Sequence, residues 1–414
     1  MAGGNFTLLG IESQVAADGS IEAKATGPLA SLMDGMVKQY YTRISKSKVI
    51  AQRDGSNVYT LFQPPVPSEA DVKLACNKLI EFITGKHWPT TATLAITHRC
   101  QCRCEHCSAA DYMRCGLPEV TPEQVFSVVD QAQALGVVHI VFVGGEPLLH
   151  PRIFDYIKHV DYHEARPMIF TNGWKLTDEV VEKLKAAGLY SLNISIDSVV
   201  PEEHDRLRGL KGLWKRAMDG AKRCLDAGLL VGLSTYATPE ALHDGRVEEL
   251  VLLVKDMGLH EIAIFDTVPT GKLLHGAEEM LLSPDDQRAL QEMSHKYDQM
   301  PGLPGIKVQA WVNSDRGFGC FAGYFQFYMT SSGEITPCDF TPLSFGNVGR
   351  EPLKDIWARL TSHPAYRDRC DHCRMQDPAF RAKYIDVIPD DARLPYRMYE
   401  TEEAEEAALA SAAG

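Results

Sequence analysis

The sequence predicts an α/β protein: a partial (β/α)6 barrel, preceded by an accessory region and followed by a small Cys-rich domain. From about residue 91, short apolar runs alternate with helix-length segments, which is the pattern of a parallel sheet wrapped by helices. The first 88 residues do not follow this alternation. The 11 cysteines are clustered rather than dispersed, and one group falls in the C-terminal third.

Length and composition set the broad class. A chain of 414 residues, 45% hydrophobic and 23% charged, can build a large core with one or two appended domains. Its net charge of −13 argues against a nucleic-acid partner, which needs a basic surface. These values fit an enzyme whose substrate is a small molecule or a neutral-to-basic peptide.

The expected location is the cytoplasm. No apolar run approaches the roughly 18–20 residues of a membrane span, and the N-terminus lacks the basic start and apolar stretch of a signal peptide. In a reducing compartment, cysteines more often bind metal or do chemistry than form disulfides.

Residues 1–88 are predicted to be an accessory region. A hairpin is expected at 48–61 with its turn at Asp54–Gly55. One amphipathic helix is expected through 29–40, and a second between Ser68 as N-cap and Gly85 as stop signal. Packing onto the main domain is the simplest interpretation of the apolar stripes; contact with a membrane surface or a leader peptide are the alternatives.

The barrel is predicted at 89–270. Its six strands are expected at 92–97, 138–143, 167–171, 192–196, 230–235 and 261–265, and its helices at 122–135, 152–160, 178–187, 214–227 and 246–257. Six strands with their crossovers make three quarters of a TIM-like (β/α)8 barrel, where chemistry sits at the carboxyl ends of the strands. After it we expect a linker at 271–310 with a helix at 284–300, a Cys-rich domain at 311–380 and a tail at 381–414. The acidic, Ala-rich stretch after Glu400 predicts a frayed helix or disorder.

Cys100, Cys104 and Cys107 form a C-x3-C-x2-C triplet directly after the first strand. Three thiolates on one loop can hold three irons of a cubane cluster and leave the fourth iron without a protein ligand. A reaction needs such an open position, whereas structural sites are closed. The alternative of a zinc site fits poorly, because zinc elements pair C-x2-C units. Cys102 falls between the ligands and is predicted to be a spare thiol.

The triplet at the end of a first barrel strand resembles the signature of the radical S-adenosylmethionine (SAM) superfamily. The resemblance implies a [4Fe–4S] cluster whose open iron binds the amine and carboxylate of SAM. It implies that one electron cleaves SAM and that the resulting 5′-deoxyadenosyl radical abstracts hydrogen from the substrate. An external electron donor such as flavodoxin or ferredoxin is then expected.

Further segments resemble the SAM-binding parts of this family. Gly144, Gly145 and Glu146 follow the second strand and resemble its GGE motif, in which glycines let the backbone approach the methionine end of SAM. The resemblance implies that Glu146 accepts from the SAM ammonium. Asn172 follows the third strand, where similar proteins place polar groups near the cofactor.

The other predicted SAM contacts come from the cysteine loop and the fourth strand with the segment after it. Ser195 and Asp197 point the same way because side chains alternate along a strand, and the resemblance implies that they reach the ribose or carboxylate of SAM. Arg208 lies in a segment resembling HDxxRG, where it would pair with the SAM carboxylate. His106, between the last two cysteines of the triplet, completes the predicted SAM-contacting set.

A second set of cysteines consists of Cys320, Cys338, Cys370 and Cys373. Four thiolates close a [4Fe–4S] cluster completely, and zinc is the alternative for the same four ligands. The spacing C-x12-G-x4-C, with Gly333 at its centre, resembles the opening of SPASM/twitch auxiliary-cluster domains. No cysteine follows Cys373, so the shorter twitch form with one auxiliary cluster fits better. The resemblance implies that this cluster moves an electron or tunes the neighbouring pocket.

The leading functional hypothesis is oxidative modification of a ribosomal peptide by cross-linking, epimerisation or dehydrogenation. The alternative is oxidation or coupling of a small molecule, such as a sugar or aminocyclitol, a lipid or a tetrapyrrole precursor. A third is a non-catalytic zinc or electron-transfer protein. The sequence assigns no catalytic acid or base. Asp266 and Thr267 are expected to line the pocket, whereas structural roles are expected for Tyr324, Tyr328 and Asp339.

Overall fold

The computed structural model of the protein describes residues 9–113, 116–276 and 278–399. The stretch after Glu400, predicted to be a frayed helix or disordered, lies outside these residues. None of the described helices is long and apolar enough to cross a membrane.

The accessory region contains two hairpins and two long helices. These elements are β1 (Gly10–Val15), β2 (Ile21–Thr26), α1 (Ala30–Ile44), β3 (Ala51–Arg53), β4 (Ser56–Val58) and α2 (Glu69–Thr84). The predicted β3–β4 turn forms at Asp54 and Gly55, which both have positive φ, as a tight two-residue hairpin requires. The second helix also starts and stops as predicted: the Ser68 side chain accepts from the Asp71 backbone N–H, and Gly85 ends the helix in the left-handed region. The β1–β2 hairpin is a finding that the sequence did not predict.

The six predicted barrel strands form and pair in parallel in chain order. They are β5 (Thr91–Ala95), β6 (His139–Val143), β7 (Arg166–Thr171), β8 (Ser191–Ser195), β9 (Leu230–Ala237) and β10 (Glu261–Asp266). The partial barrel is therefore confirmed, and three additional strands extend it to nine: β11 (Gly305–Val308), β12 (Gln326–Met329) and β13 (Ile335–Thr336). β11 pairs in parallel with β10, while β12 pairs in parallel with β5 and antiparallel with β13. The segment predicted to be a helical linker thus also supplies a strand to the sheet.

Helices follow most of the strands and shield one face of the sheet. They are α3 (Ala110–Met113), α4 (Pro122–Leu135), α5 (Ile153–His159), α6 (Asp178–Ala186), α7 (Pro201–Arg208), α8 (Leu213–Asp226), α9 (Pro239–His243), α10 (Arg246–Asp256) and α11 (Pro284–Asp298). Helix α4 shows why these helices could be predicted from the sequence. Thr121 and Gln124 form a capping box at its start, and Gly136 ends it with a φ of 111°. The segment resembling HDxxRG is itself the helix α7, which was not among the predicted helices.

The C-terminal part is joined to the barrel through β12. Its remaining elements are α12 (Gln309–Val312), β14 (Leu343–Ser344), α13 (Leu353–Ser362), α14 (Pro378–Tyr384) and β15 (Tyr396–Arg397). The strands β14 and β15 pair in parallel, so the chain beyond residue 380 returns to this domain. Buried residues of the barrel and of this domain belong to one continuous apolar core.

The accessory region closes the amino-terminal mouth of the barrel. Val58 and Leu61 pack against Met168 and Leu230 inside the barrel, and the Leu61 backbone N–H donates to the Glu261 carboxylate at 3.2 Å. The segment Val58–Leu61 therefore packs onto the main domain as predicted. The apolar stripe of α1 does not: Met33 and Val37 form a separate core with β1, β2 and α2 inside the accessory region, so the prediction is wrong for this helix. The carboxyl ends of the strands, at the opposite mouth of the barrel, therefore remain available for a catalytic site.

Candidate active site

The loop after β5 carries the first cysteine triplet. Cys100, Cys104 and Cys107 lie close enough to influence one another electrostatically. A hydrogen bond from the Cys102 thiol and the nearby Arg208 charge outweigh burial and lower the pKa of Cys104 to about 6. Burial raises the pKa of Cys107 to about 11. Cys102 contacts both Cys100 and Cys104, and these contacts raise its pKa far above the ordinary value, which suits a protonated donor between two ligands.

The spacing of the thiols distinguishes a cluster from a single zinc ion. Four sulfurs bound to one zinc at 2.3 Å lie about 3.8 Å apart. Among the residues that the structure describes, Cys370, Asp371 and His372 are the only three potential ligands whose donor atoms all lie within 4.8 Å of one another. At least one pair among the thiols of Cys100, Cys104 and Cys107 is therefore more than 4.8 Å apart, which is wider than in a zinc tetrahedron. A wider spacing agrees with a cubane, in which each thiolate binds a different iron.

The glycines after β6 allow two loops to meet. A Cβ on Gly144 would lie 2.5 Å from the Thr97 carbonyl oxygen, and one on Gly145 would lie 2.3 Å from the Arg99 carbonyl oxygen. The Gly145 N–H donates to the Thr97 oxygen at 2.9 Å. The sequence analysis predicts that the backbone at these glycines lies close to SAM. In the structure, this backbone lies close to the backbone of the cysteine loop.

Glu146 ties the ends of two neighbouring strands together. One carboxylate oxygen accepts from the Thr171 hydroxyl at 2.7 Å and from the Leu148 N–H at 3.0 Å, and the other accepts from the Asn172 N–H at 2.8 Å. Burial raises the pKa of Glu146 to about 7 against these hydrogen bonds. Both carboxylate oxygens therefore already accept hydrogen bonds from the protein. The sequence analysis predicts that this carboxylate accepts from the SAM ammonium.

Asn172 has hydrogen-bonding capacity left. Its Oδ1 accepts from Gln101 Nε2 and from the Trp174 N–H, both at 3.0 Å. Its Nδ2 is buried and has no partner among the described residues. A buried amide N–H without a partner is rare in proteins, so this atom is a candidate donor to a bound group. Gln101, inside the cysteine triplet, was missed because no pattern marks it.

Asp197 and Arg208 were each predicted to contact SAM, and the structure pairs them with one another. Arg208 Nη2 lies 2.7 Å from Asp197 Oδ1, and its Nε bonds the other oxygen. The remaining nitrogen, Nη1, lies 3.9 Å from Cys104 Sγ. Burial alone would raise the pKa of Asp197, but the Arg208 guanidinium and His106 lower it to about 2. The predicted contact Ser195 lies on β8, with its Oγ 3.3 Å from that of Ser234.

An aromatic wall borders this ion pair. Burial lowers the pKa of His106 to about 4, and its ring packs on Tyr236 with centroids 4.5 Å apart. Tyr236 contacts Phe265, which contacts Phe170, with centroids 5.9 and 6.0 Å apart. Each of these three aromatic residues is the next-to-last residue of its strand. Alternation along the strands could have identified them.

The four C-terminal cysteines also come together. The Cys320 N–H donates to the Cys370 carbonyl at 2.7 Å, and Cys373 interacts electrostatically with Cys320 and Cys338. Three of the four are buried, and Cys370 is half-buried. The left-handed Gly319 permits this approach, because its Cβ would lie 2.4 Å from the Cys370 oxygen. Four thiols can bind all four irons of a cubane, so this site would leave no iron without a protein ligand.

Two tyrosines lie between the two cysteine sets. The rings of Tyr112 and Tyr328 are 6.1 Å apart. Burial raises the pKa of Tyr328, and the carboxylate of Asp339 and the thiol of Cys107 add to the rise. Burial also raises the pKa of Asp339 to about 6. Tyr324, by contrast, packs on His87 at 4.0 Å, away from this region.

The fold and site define a class: an α/β barrel enzyme with an open three-cysteine site at its strand ends and a closed four-cysteine site beside it. Residues 94–254 match the family model of the radical SAM superfamily, and residues 320–376 match the SPASM model, an iron–sulfur cluster-binding domain. The chain belongs to the radical SAM superfamily and is an enzyme of the SPASM-containing kind, which uses [4Fe–4S] clusters and SAM. The hypothesis of a non-catalytic zinc or electron-transfer protein is therefore wrong.

The curated relatives include heme synthases and peptide cyclases. An AdoMet-dependent heme synthase of Methanosarcina barkeri is 26% identical over 299 residues, covering 68% of this chain and 85% of its own length. A PqqA peptide cyclase of Streptomyces rochei is 28% identical over 290 residues, covering 67% and 78%. Among solved structures, Streptococcus suis SuiB bound to precursor peptide SuiA has a TM-score of 0.57 at 15% identity, covering 84% of this chain and 87% of that one. This last likeness concerns the fold alone.

Proposed function

We propose that this radical SAM enzyme modifies a ribosomally made peptide, either by oxidation that forms a cross-link or a dehydrogenated residue, or by redox-neutral epimerisation of a residue. The observation that carries the proposal is a groove in the accessory region that suits an extended peptide. The relative named PqqA peptide cyclase supports the same substrate class. The site of reaction would be the carboxyl end of the barrel.

The groove has a volume of about 690 Å³ and lies between β1 and the start of α2. Three consecutive residues of β1 line it, and among the described residues this strand pairs only with β2. Its other edge therefore offers backbone donors and acceptors that an incoming strand can use. Ile11, Pro67 and Val72 supply apolar contacts for side chains. Main-chain pairing of this kind binds a peptide segment with little dependence on its sequence.

In this proposal Cys100, Cys104 and Cys107 ligate the SAM-binding cluster, which when bound supplies the electron for SAM cleavage. Asn172 donates its free Nδ2 hydrogens to SAM. Arg208, held by Asp197, keeps a positive charge beside the cysteine loop. His106, Gly144, Gly145, Glu146 and Ser195 are the remaining proposed SAM contacts.

Cys320, Cys338, Cys370 and Cys373 would ligate the auxiliary cluster. Because all four positions are then protein ligands, no iron is left for substrate, and the role we propose for this site is to accept an electron from the oxidised substrate. A flavodoxin or ferredoxin would supply electrons to the first cluster, and the cytoplasm is the proposed compartment.

A second candidate is oxidation of a tetrapyrrole precursor. It is favoured by the relatives named AdoMet-dependent heme synthase, one of which aligns over 85% of its length. In that case the groove beside β1 would have no part in substrate binding.

The test begins with a search of the neighbouring reading frames for a short precursor-like peptide, which then serves as the substrate. The reconstituted enzyme is incubated anaerobically with SAM, dithionite and the peptide, and 5′-deoxyadenosine and the peptide mass are followed. We expect stoichiometric 5′-deoxyadenosine and a peptide lighter by two hydrogens for a cross-link or a dehydrogenation. For epimerisation we expect a peptide that is heavier by one mass unit when the reaction is run in deuterium oxide. A groove variant, Val72→Arg, should weaken peptide binding at least ten-fold, while the exposed control Val49→Arg should not. A tetrapyrrole precursor that is oxidised while the peptide stays unchanged would contradict the proposal.

A further inference from the structure

The surface around the cysteine loop is basic, although the chain as a whole is acidic. Residues 206–218 include five basic residues and no acidic one, whereas the net charge of the whole chain is −13. This segment spans the end of α7 and the first part of α8. Two further basic residues lie close to one another beside it, Arg103 in the cysteine loop and Lys272 in the loop after β10. Positive charge is therefore concentrated beside the first cysteine triplet.

Four exposed cations form what we call the basic patch: Arg103, Arg206, Lys211 and Lys272. Contacts of the backbone bring them together. A Cβ on Gly209 would lie 3.0 Å from the Cβ of Arg103, so the turn that separates Arg206 from Lys211 packs on the cysteine loop. Lys272 Nζ lies 3.4 Å from the Arg103 carbonyl oxygen and also donates to the Cys104 carbonyl oxygen.

Nearby carboxylates neutralise only part of this charge. Glu105 pairs with Arg206 at 2.8 Å, and the two side chains are 45% and 61% exposed. Asp205 accepts from the backbone N–H groups of Gly212 and Trp214 at the start of α8, where the helix dipole offsets a negative charge. The four cations outnumber these two carboxylates, so the patch stays positive.

The first cysteine triplet lies next to this patch. Cys100, Cys104 and Cys107 are each half-buried, so a cluster held by them would lie near the protein surface. Reduction of that cluster takes one electron from outside the chain. An acidic electron carrier is repelled by a chain of net charge −13 unless it approaches a locally positive surface. Complementary charge of this kind raises association rates by about 10- to 1,000-fold.

We propose that the basic patch docks an acidic one-electron carrier protein and that the carrier reduces the first cluster from this side. In this step the carrier loses one electron and the oxidised cluster gains it, and no covalent bond forms or breaks. The inference rests on the external electron donor of the proposed function, but it is independent of the substrate. Flavodoxin and ferredoxin are the two probes, because both are acidic and they differ in their redox group.

The test measures 5′-deoxyadenosine production by the reconstituted holoenzyme without peptide, driven in turn by reduced flavodoxin, reduced ferredoxin and saturating dithionite. The patch variant combines Arg206→Glu with Lys211→Glu. The matched control combines Lys158→Glu with Lys185→Glu, two exposed lysines on α5 and α6, and changes the net charge by the same amount. We expect the patch variant to lose at least about ten-fold in kcat/KM for the carrier, while the control keeps the wild-type value. Both variants should keep the wild-type rate with dithionite.

Salt provides a second readout. Raising NaCl from about 0.05 to 0.5 M shortens the screening length, so the carrier-driven rate should fall in the wild type and the control and should change less in the patch variant. An equal loss in both variants, an unchanged carrier-driven rate in the patch variant, or no reduction of the wild type by either carrier would each overturn the proposal. A patch that only balances the charge of the cluster would lower the dithionite-driven rate equally, and this result would overturn it as well. Failure of peptide modification would not affect these measurements.

Discussion

Arg208 donates from two nitrogens to both carboxylate oxygens of Asp197, and its third nitrogen lies 3.9 Å from Cys104 Sγ. The guanidinium and the carboxylate are 10% and 5% exposed. A fork-to-fork pair of this kind is geometrically specific as well as strong. It connects the end of β8 with α7 and with the cysteine loop, so it fixes the relative position of three segments of the site.

The first prediction concerns this pair. Asp197→Asn leaves a buried guanidinium without its counter-charge, which we expect to cost about 3–5 kcal/mol of unfolding free energy. The matched control is Arg206→Met on the same helix. Arg206 pairs with Glu105 at 2.8 Å, with side chains 61% and 45% exposed, and its loss should cost about 0–1 kcal/mol. Urea unfolding of the apoprotein measures both. Similar costs for the two variants would mean that burial does not set the strength of the Asp197–Arg208 pair.

The second prediction concerns Glu146, which accepts three hydrogen bonds. Glu146→Gln replaces one accepting oxygen by an NH₂ group that faces a hydrogen-bond donor. The lost hydrogen bond costs about 1–3 kcal/mol of unfolding free energy, and Asn172 is no longer held in place. We expect SAM to bind at least ten-fold more weakly, as measured by equilibrium dialysis of the reconstituted enzyme. Glu123→Gln, in the first turn of α4, is the control and should bind SAM normally. Unchanged affinity in Glu146→Gln would separate this carboxylate from the SAM site.

The third prediction is a pH dependence in the accessory region. Asp71 is buried and accepts from the Tyr41 hydroxyl at 2.8 Å, and burial raises its pKa from 3.8 to about 7 against that bond. The folded state therefore keeps a proton that the unfolded chain has lost, so this group's contribution to stability falls as pH rises from about 4 to 7 and is constant above that. Relative to Asp71→Asn, the wild type should lose about 1 kcal/mol per pH unit in this window. Hydrogen exchange of α1 and α2 at several pH values measures it, and a pH-independent difference would contradict it.

The fourth prediction concerns metal content. Two cubane clusters require about eight irons and eight sulfides per chain. Changing Cys320 and Cys338 to alanine should leave about four irons, all in a cluster that still responds to added SAM. Iron, zinc and sulfide analysis of the reconstituted proteins provides the numbers. Stoichiometric zinc in place of four irons would refute the auxiliary cluster.

Much of the barrel could be predicted because its elements carry local signals. The six strands are apolar runs, and helices such as α4 have a capping box and a terminal glycine. The strands β11 and β12 could not be identified, since each is only four residues long and is stabilised by pairing with a distant strand. The β1–β2 hairpin was missed because each strand has a single buried residue, Ile11 or Ile21, and half of its residues are polar.

The candidate site also has a part that the sequence predicts and a part that it does not. Spacing alone predicted both cysteine sets, and the structure brings the members of each set together. Spacing could not indicate that Asp197 and Arg208 bond to one another, because that contact depends on how α7 packs beside β8. Tyr236 was missed although its position near the end of β9 carried a signal, since one tyrosine in an apolar run does not stand out.

The central claim is that Cys100, Cys104 and Cys107 hold the cluster that cleaves SAM. The most direct measurement is 5′-deoxyadenosine production by the reconstituted variant in which all three are alanine, with iron content determined on the same sample. The account predicts loss of 5′-deoxyadenosine to background while about four irons remain in the auxiliary cluster. Production at the wild-type rate by this variant would contradict it.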